Sequence, residues 1–391
     1  MKYLLKLYGC ASEQDTYAPL RSVSALIQKV LRTVRRVYQH SHSARKLTNP
    51  VTALLLTFLL VPATLSTSFA EEEPKAADLI VDKQLIDISS KKYITLFDEL
   101  EDQYNFTAKE LLSLFKGVRI SRKVLVLMDR QWEAKPYYQY SPLFITPWII
   151  SKGKKHLKSH AALFAQIEEK YGVDREFIVA IWAIESKFGS NQGGFHLFQT
   201  LNTLFDAYPR RSDFFRKELI HFLTMCRENN IDPLSVKGSY AGAFGQAQFM
   251  PSSFHNYSVD FDGDNHRDLI NSLPDILGSI ANYLSTFGWV LHAPVYANIG
   301  NTLNSDQLTT AYKQGRKSRV DWRLVSDEQH ISIPRPPNNE LLSIVGLEVS
   351  PFSGGGMRFI VGYPNFNAIT AYNHSDKYAM AVTEMAEAFK N

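Results

Sequence analysis

The sequence predicts a mainly α protein of the α+β class, and three observations carry that prediction. From Tyr93 to Phe287, apolar residues recur at helical spacing in one segment after another. After His292, short apolar runs alternate with glycine and proline, as around Ser353-Gly354-Gly355-Gly356, and read as strands. From Ile369 the helical pattern returns and continues to Phe389. The chain has 391 residues and is 45% hydrophobic, enough to bury a full core over two or three subdomains.

The N-terminal part differs in kind. Residues 1–70 hold 9 Lys/Arg against 2 Asp/Glu, whereas the remainder carries 34 basic and 37 acidic residues. The formal net charge of +4 therefore belongs to the leader, and the body has no electrostatic footprint for nucleic acid. Ser43–Ala70 has Arg45 and Lys46, an apolar run from Val51 to Val61, Pro62, and a small-residue tail ending at Ala70. That is the order of a secretory signal, with cleavage before Glu71-Glu72-Glu73. A membrane anchor is the alternative, but the run is shorter than the ~20 residues a spanning helix needs. LYGC (7–10) makes a poor lipoprotein signal, because Lys6 and Tyr8 interrupt a short apolar run. After Met1 no methionine occurs until Met128, so either the n-region is unusually long or, the reading preferred here, a true non-ATG start lies downstream. The cysteines are Cys10 and Cys226, so removing the leader leaves Cys226 without an intrachain partner.

After a polar linker (71–90), helices are expected over Tyr93–Gln103 and Thr107–Phe115, the second with Thr107 and Glu110 as a capping box. Val124–Trp132, Pro142–Ile150 and Lys155–Tyr171 continue the pattern around an aromatic loop, Lys135–Tyr140. Ser212–Glu228 and Pro274–Phe287 are core helices. Asp321–Leu324, His330–Ile333, Leu341–Val349 and Met357–Val361 read as strands, and Asp376–Phe389 closes the chain as a helix. No internal repeat appears.

The helix over Asp174–Gly189 is the most informative. Asp174 suits its cap, Glu176 its first turn and Gly189 its end. Ile178, Ile181, Trp182, Glu185 and Phe188 share one stripe, so Glu185 lies on the apolar face. A carboxyl there finds a cation or holds its proton near neutrality. The plainer alternative is a helix-end glutamate turned to water. Lys237–Ser253 (KGSYAGAFGQAQFMPSS) then combines glycines, Gln246, Gln248 and serines with Tyr240, Phe244 and Phe249. Such a wall bonds a neutral polyol such as a sugar. A small-residue helix contact explains the glycines but not the glutamines. Arg210 and Arg211 either meet acidic substrate groups or fix a loop.

AIESKFG, YPRRSDFF (208–215), KGSYAGAFGQAQFMPSS, VDFDGDNHRDL (259–269), SIANYLSTFGW (279–289) and ITAYNHSDKYAMAV (369–382) follow in that order. Together they resemble the lytic murein transglycosylase B family over about Lys92 to Phe389. The resemblance implies a lysozyme-like helical core (156–290) after an N-terminal helical subdomain (92–155). A small β-containing insert (291–365) and a return to the core (366–391) complete a catalytic domain over 92–391. It also implies that Glu185 is catalytic, that Ser239 and Gln248 bond substrate or steady the glutamate, and that Tyr283 and Tyr372 shape the catalytic subsite.

Asp260, Asp262, Asp264 and Asp268 stand at alternate positions of an EF-hand-like loop, with the His266 carbonyl at the seventh place. Oxygen ligands at this spacing suit calcium in a structural role. Asn265 replaces the usual glycine, and Asn271 stands where a bidentate glutamate is expected. In the family a later carboxylate closes the loop, a place that Asp275 fills here. A solvated acidic turn is the alternative.

Glycoside hydrolysis normally uses two carboxylates. Asp206 and Asp213 are the candidates near Glu185 in sequence, and neither lies in a nucleophile-like motif. The resemblance implies a different reaction, in which the muramic acid C6 hydroxyl attacks its own C1 and Glu185 serves as both acid and base. Muramidase-type hydrolysis and a non-catalytic, calcium-stabilised peptidoglycan-binding protein are the alternatives. The expected partner is the peptidoglycan glycan strand, met by a monomer in the periplasm without organic cofactor. Exported protein should begin at Glu71 or within a few residues. N-terminal sequencing that finds residues 1–70 intact on folded, exported protein overturns the signal reading.

Overall fold

The computed structural model describes residues 75–129 and 135–391. The secretory pattern, Cys10 and Trp132 lie outside the described residues. The chain opens with α1 (Lys91–Tyr104), α2 (Ala108–Phe115) and α3 (Arg122–Met128). Thr107 and Glu110 form the expected capping box, with Glu110 N donating to Thr107 Oγ1 at 3.2 Å and Thr107 N to Glu110 Oε2 at 2.7 Å.

The aromatic loop contains a helical turn, Tyr137–Tyr140, and the helix expected over Pro142–Ile150 begins later, as α4 (Pro147–Ser159). Thr146 and Pro147 decide that start. The Thr146 hydroxyl accepts from Ile149 N at 3.3 Å, and proline fits a first turn that has no intrahelical partner for its nitrogen. Lys155–Tyr171 is likewise not one helix. His160 leaves helical geometry (φ −118°, ψ 27°) and α5 runs from Ala161 to Tyr171.

α6 (Arg175–Ser186) is buried at every residue from Phe177 to Ser186. The sequence reading expected one apolar stripe, but small Ala180 and Ala183 on the other faces let neighbours approach from all sides. Asp174 occupies the N-cap position without capping. Its carboxylate instead accepts from Trp289 Nε1 at 2.9 Å and His292 N at 3.2 Å.

A two-stranded antiparallel ribbon joins β1 (Phe195–His196) to β2 (Lys237–Gly238), with Phe195 opposite Gly238. Between them run α7 (Leu197–Ala207) and α8 (Ser212–Glu228), and after them α9 (Pro251–Tyr257) and α10 (Leu273–Thr286). Buried Glu218 of α8 holds the start of α9, accepting from Ser252 N at 2.9 Å and Ser252 Oγ at 2.6 Å.

The β-containing part forms a four-stranded antiparallel sheet in the order β3-β6-β5-β4. Its strands are β3 (Tyr296–Gly300), β4 (Arg319–Val320), β5 (Leu342–Glu348) and β6 (Met357–Gly362), with α11 (Asp306–Gln314) and α12 (Trp322–Gln329) between them. Ile299, Leu308, Val325, Leu342 and Val361 give it a hydrophobic cluster separate from the main core. Strands were expected at Asp321–Leu324 and His330–Ile333; the first falls largely in α12 and the second is irregular. Asp321 caps α12 through Arg323 N at 2.8 Å, and Trp322, Val325 and Gln329 recur at helical rather than alternating spacing.

α13 (Pro364–Tyr372) and α14 (Asp376–Lys390) return the chain to the core. α14, α4, α5 and α10 all pack around α6. The carboxyl of Glu185 thus sits near the end of the most enclosed helix in the molecule.

Candidate active site

Glu185 is 4% exposed. Its Oε1 accepts from the Tyr378 hydroxyl at 2.6 Å, and Oε2 takes no hydrogen bond among the described residues. Burial pushes the carboxyl up from an ordinary 4.5 to about 7, while the Tyr378 bond pulls the other way. Burial and the adjacent Glu185 carboxyl together hold the Tyr378 phenol well above its usual value. Burial thus lets Glu185 carry a proton up to about pH 7, with Oε1 accepting from Tyr378.

The chain leaves α6 through three consecutive residues with positive φ: Lys187 (51°), Phe188 (57°) and Gly189 (79°). Glycine is required at the last. A Cβ there would lie 2.4 Å from Gln246 Oε1. Gln246 uses that closeness, because Oε1 accepts from Trp182 Nε1 at 2.8 Å and Nε2 donates to Ile270 O at 2.8 Å. The glycine-rich wall is thereby pinned to α6 on one side and to the acidic loop on the other. Gly193 admits the same kind of approach from the β1–β2 ribbon, since a Cβ on it would meet Gly238 O at 2.1 Å.

Ser239 is buried, and its Oγ accepts from Ala241 N at 3.3 Å and Ala243 N at 3.0 Å. Its O–H proton remains to be donated. Gln248 is 1% exposed and has left-handed backbone (φ 49°). Nε2 donates to Gly245 O at 2.8 Å and Gln192 O at 3.1 Å, whereas Oε1 is buried with no partner among the described residues.

Tyr283 and Tyr372 meet with ring centroids 4.8 Å apart, and Phe249 of the wall lies against both. The Tyr283 hydroxyl donates to Ala371 O at 2.8 Å, and that of Tyr372 to Ala247 O at 2.6 Å. Wall, α10 and α13 are thus tied through aromatic contacts.

Arg211 lies over Phe214 at 4.2 Å, so it packs on the start of α8. Asp213 is exposed in the first turn of α8. Asp206 is half-buried, where burial raises its carboxyl against the opposing charge of Lys92. Neither carboxylate contacts Glu185.

Asp260, Asp262 and Asp264 each bring one carboxylate oxygen within 4.8 Å of the others. Asp275 is fully buried, with Oδ1 accepting from Phe261 N at 2.7 Å and Oδ2 from Asp268 N at 2.8 Å. It closes the loop from within, outside the trio. Asn265 adopts the left-handed turn (φ 67°) that its position demands, and His266 N bonds Asp264 Oδ1 at 2.8 Å. Asp268 accepts from Ile270 N and Asn271 N, turning the chain toward α10.

Sequence reasoning missed Tyr378. It lies in the ITAYNHSDKYAMAV stretch, but nothing in its spacing distinguishes it from a core tyrosine. Only the packing of α14 on α6 brings it to Glu185.

A buried acid beside neutral amides, hydroxyls and rings is suited to protonating a glycosidic oxygen, which places the protein among glycan-cleaving enzymes with a lysozyme-like helical core. Residues 89–387 match the Transglycosylase SLT domain, and the chain belongs to that family of lytic transglycosylases. It is 34% identical over 303 residues to membrane-bound lytic murein transglycosylase B of Escherichia coli K12, covering 74% of this chain and 80% of that one. The soluble lytic transglycosylase SltB1 of Pseudomonas aeruginosa is similar in structure, with a TM-score of 0.68 and 36% identity over 75% of this chain and 97% of that one. Escherichia coli Slt35 in complex with calcium gives a TM-score of 0.68 and 32% identity over 79% and 96%. Among the described residues no helix is long and apolar enough to cross a membrane.

Glu185 also makes stability depend on pH. With a folded value of about 7 against 4.5 when unfolded, the native state binds more protons between those values, so stability falls as pH rises through that window. At ~1.4 kcal/mol per unit, the loss approaches about 3 kcal/mol above pH 7. Glu185→Gln should remove this slope, melting several degrees higher than wild type above pH 7 and alongside it below pH 4.5. Parallel melting-temperature curves for the two proteins would show that the carboxyl does not hold its proton.

Proposed function

We propose that the protein cleaves the β-1,4 MurNAc–GlcNAc bond of peptidoglycan without water, leaving 1,6-anhydromuramoyl ends, with Glu185 as single acid and base. The observation that carries this reading is the buried Glu185 carboxyl, bonded by the Tyr378 hydroxyl and, among the described residues, by no second carboxyl group. Glu185 donates its proton to the departing GlcNAc O4 as the bond to muramic C1 breaks. The C6 hydroxyl of the same muramic residue then bonds to C1, and the Glu185 carboxylate takes the hydroxyl proton, which restores the acid. Tyr378 steadies the carboxylate between these steps. The intramolecular attack avoids recruiting a second molecule. Ser239 O–H and Gln248 Oε1 supply a donor and an acceptor for the sugar's polar groups, and Tyr283 and Tyr372 form the aromatic side of the subsite.

This reading sets the protein in the periplasm, where its glycan substrate lies, and the export pattern at Arg45–Ala70 supports that placement. Calcium is the cation that the acidic loop fits, since hard carboxylate oxygens from Asp260, Asp262 and Asp264 already converge. The His266 carbonyl would join them. Each Asp275 oxygen retains a second lone pair after its amide bond. Bound calcium would fix the loop, and the chemistry at Glu185 would proceed on the protein's own groups. The calcium complex of Slt35 supports this assignment.

Digestion of intact peptidoglycan in ¹⁸O-labelled water should give anhydro ends, lighter than reducing ends by one water and free of label. Glu185→Gln should lower the rate by at least ~10²–10⁴-fold while the fold persists. Labelled reducing ends would identify a hydrolase instead, and absence of both products from wild type would leave a glycan-binding protein.

Calcium added to chelator-treated protein should raise the melting temperature more than magnesium does, and Asp260→Ala/Asp264→Ala should abolish the rise. An unchanged calcium response in that variant would move the site elsewhere.

A further inference from the structure

Two side-chain contacts join α8 to α9, one helical turn apart on each helix. The first is the buried Glu218 carboxylate, which accepts from Ser252 N and Ser252 Oγ. Three residues further along both helices, His221 of α8 meets His255 of α9, with ring centroids 5.4 Å apart and planes tilted by 36°. His221 is partly buried and His255 is exposed, so the pair sits at the solvent edge of the helix contact. Neither imidazole takes a hydrogen bond or an ion pair among the described residues. His292 and His374, in contrast, are each fixed through Nδ1, on Asp174 Oδ1 at 2.8 Å and Thr370 O at 2.7 Å.

A neutral imidazole carries one nitrogen lone pair, so the two rings present two unengaged nitrogen ligands to the same small volume. Two imidazoles on one tetrahedral zinc ion, at Zn–N distances of about 2.0–2.1 Å, have ring centres roughly 5 Å apart. The separation of His221 and His255 matches that arrangement. A second close pair, His156 and His160 at 5.8 Å, is less suited to a cation. Lys152, Lys154, Lys155 and Lys158 share its helix without an ion pair among the described residues, and Trp182 and Phe188 cover the His156 ring. On α8, Arg216 and Arg227 are paired with Glu99 and Glu110, which leaves Lys217, and α9 has no lysine or arginine.

We propose that His221 and His255 bind one borderline divalent cation of the zinc class, through one nitrogen each, with water in the remaining places. Imidazole suits zinc, nickel and copper, whereas calcium and magnesium take oxygen ligands. This site and the acidic loop therefore divide the cations between them. Zinc here ties α9 to α8 at a second level, one turn beyond the Glu218 bonds. The glycine-rich wall runs into α9 at Pro251, so the same tie steadies the chain that follows Gln248.

The test is equilibrium dialysis of chelator-treated protein against zinc chloride, with calcium in excess to occupy the acidic loop. Wild type should bind one zinc ion per chain. Its melting temperature should rise by about 2–4 °C when zinc stands tenfold above its dissociation constant. His255→Gln should lose both the bound zinc and the rise. That position is exposed, so the variant should melt with wild type when no zinc is present, which excludes misfolding as the cause. His221→Gln should lose the zinc as well. Asp260→Ala/Asp264→Ala and His156→Ala/His160→Ala should keep the wild-type stoichiometry. Wild type that binds no zinc, or His255→Gln that binds it as wild type does, would overturn the site. Loss of zinc in the His156→Ala/His160→Ala protein alone would also overturn it and place the ion on α4. Binding is measured without turnover, so either result leaves the transglycosylase reading as it stands.

Discussion

Burial of Glu185 near the end of an all-round buried helix is the constraint that the rest of the structure accommodates. A carboxylate in such a place would be costly, so the group stays protonated near neutrality or must find a donor. Here both hold. The desolvation comes from α6 itself, whose neighbours α4, α5, α10 and α14 leave no face to water. The donor comes from α14, nearly two hundred residues away in sequence, as the Tyr378 hydroxyl. Acid strength at this site is thus a property of helix packing, and the final helix is part of the candidate site as well as of the core.

The wall opposite the acid depends on close backbone approach. Gly189 lets the Gln246 amide reach past the end of α6, and Gly193 lets the β1–β2 ribbon close over Gly238. Once there, Gln246 spends its donors and acceptor on structure: Trp182 on α6, and Leu269 O and Ile270 O beyond the acidic loop. Gln248, two residues on, is oriented by carbonyls through its nitrogen and left with an unsatisfied oxygen. Two glutamines that look alike in sequence are therefore unlike in bonding: the Gln246 amide is tied into the scaffold at both ends, and the Gln248 amide at its nitrogen alone among the described residues. Their neighbours make the division.

This explains how far the sequence could be read. Helix existence, the capping box at Thr107 and the special position of Glu185 were legible because they rest on local spacing and residue chemistry. The α12 region reads as strand because the stretch is short and polar, and its Asp321 cap and the helical spacing of Trp322, Val325 and Gln329 decide for helix. Asp174 looks like a helix cap by position, but Trp289 and His292 take its carboxylate, a tertiary contact that no local pattern encodes. Tyr378 and the paired role of Gln246 stayed hidden for the same reason. The carboxylates of the acidic loop were visible from their alternation, whereas the inward bonding of Asp275 depends on the path of the chain after Asp268.

The acidic loop and the helix that carries Glu185 are closer in the bonding network than in sequence. From the loop, Leu269 O and Ile270 O bind Gln246, whose amide oxygen binds Trp182, one helical turn before Glu185. On the other side, Asp275 lies in the first turn of α10, and Tyr283 on that helix reaches Ala371 beside Tyr372. Three carboxylates that converge in one loop repel one another, and whatever relieves that repulsion would act on both routes. Each route ends at a residue that borders the acid rather than at the acid itself. Ordering of the loop would therefore bear on where substrate groups sit, while the proton of Glu185, set by burial and Tyr378, would be governed separately.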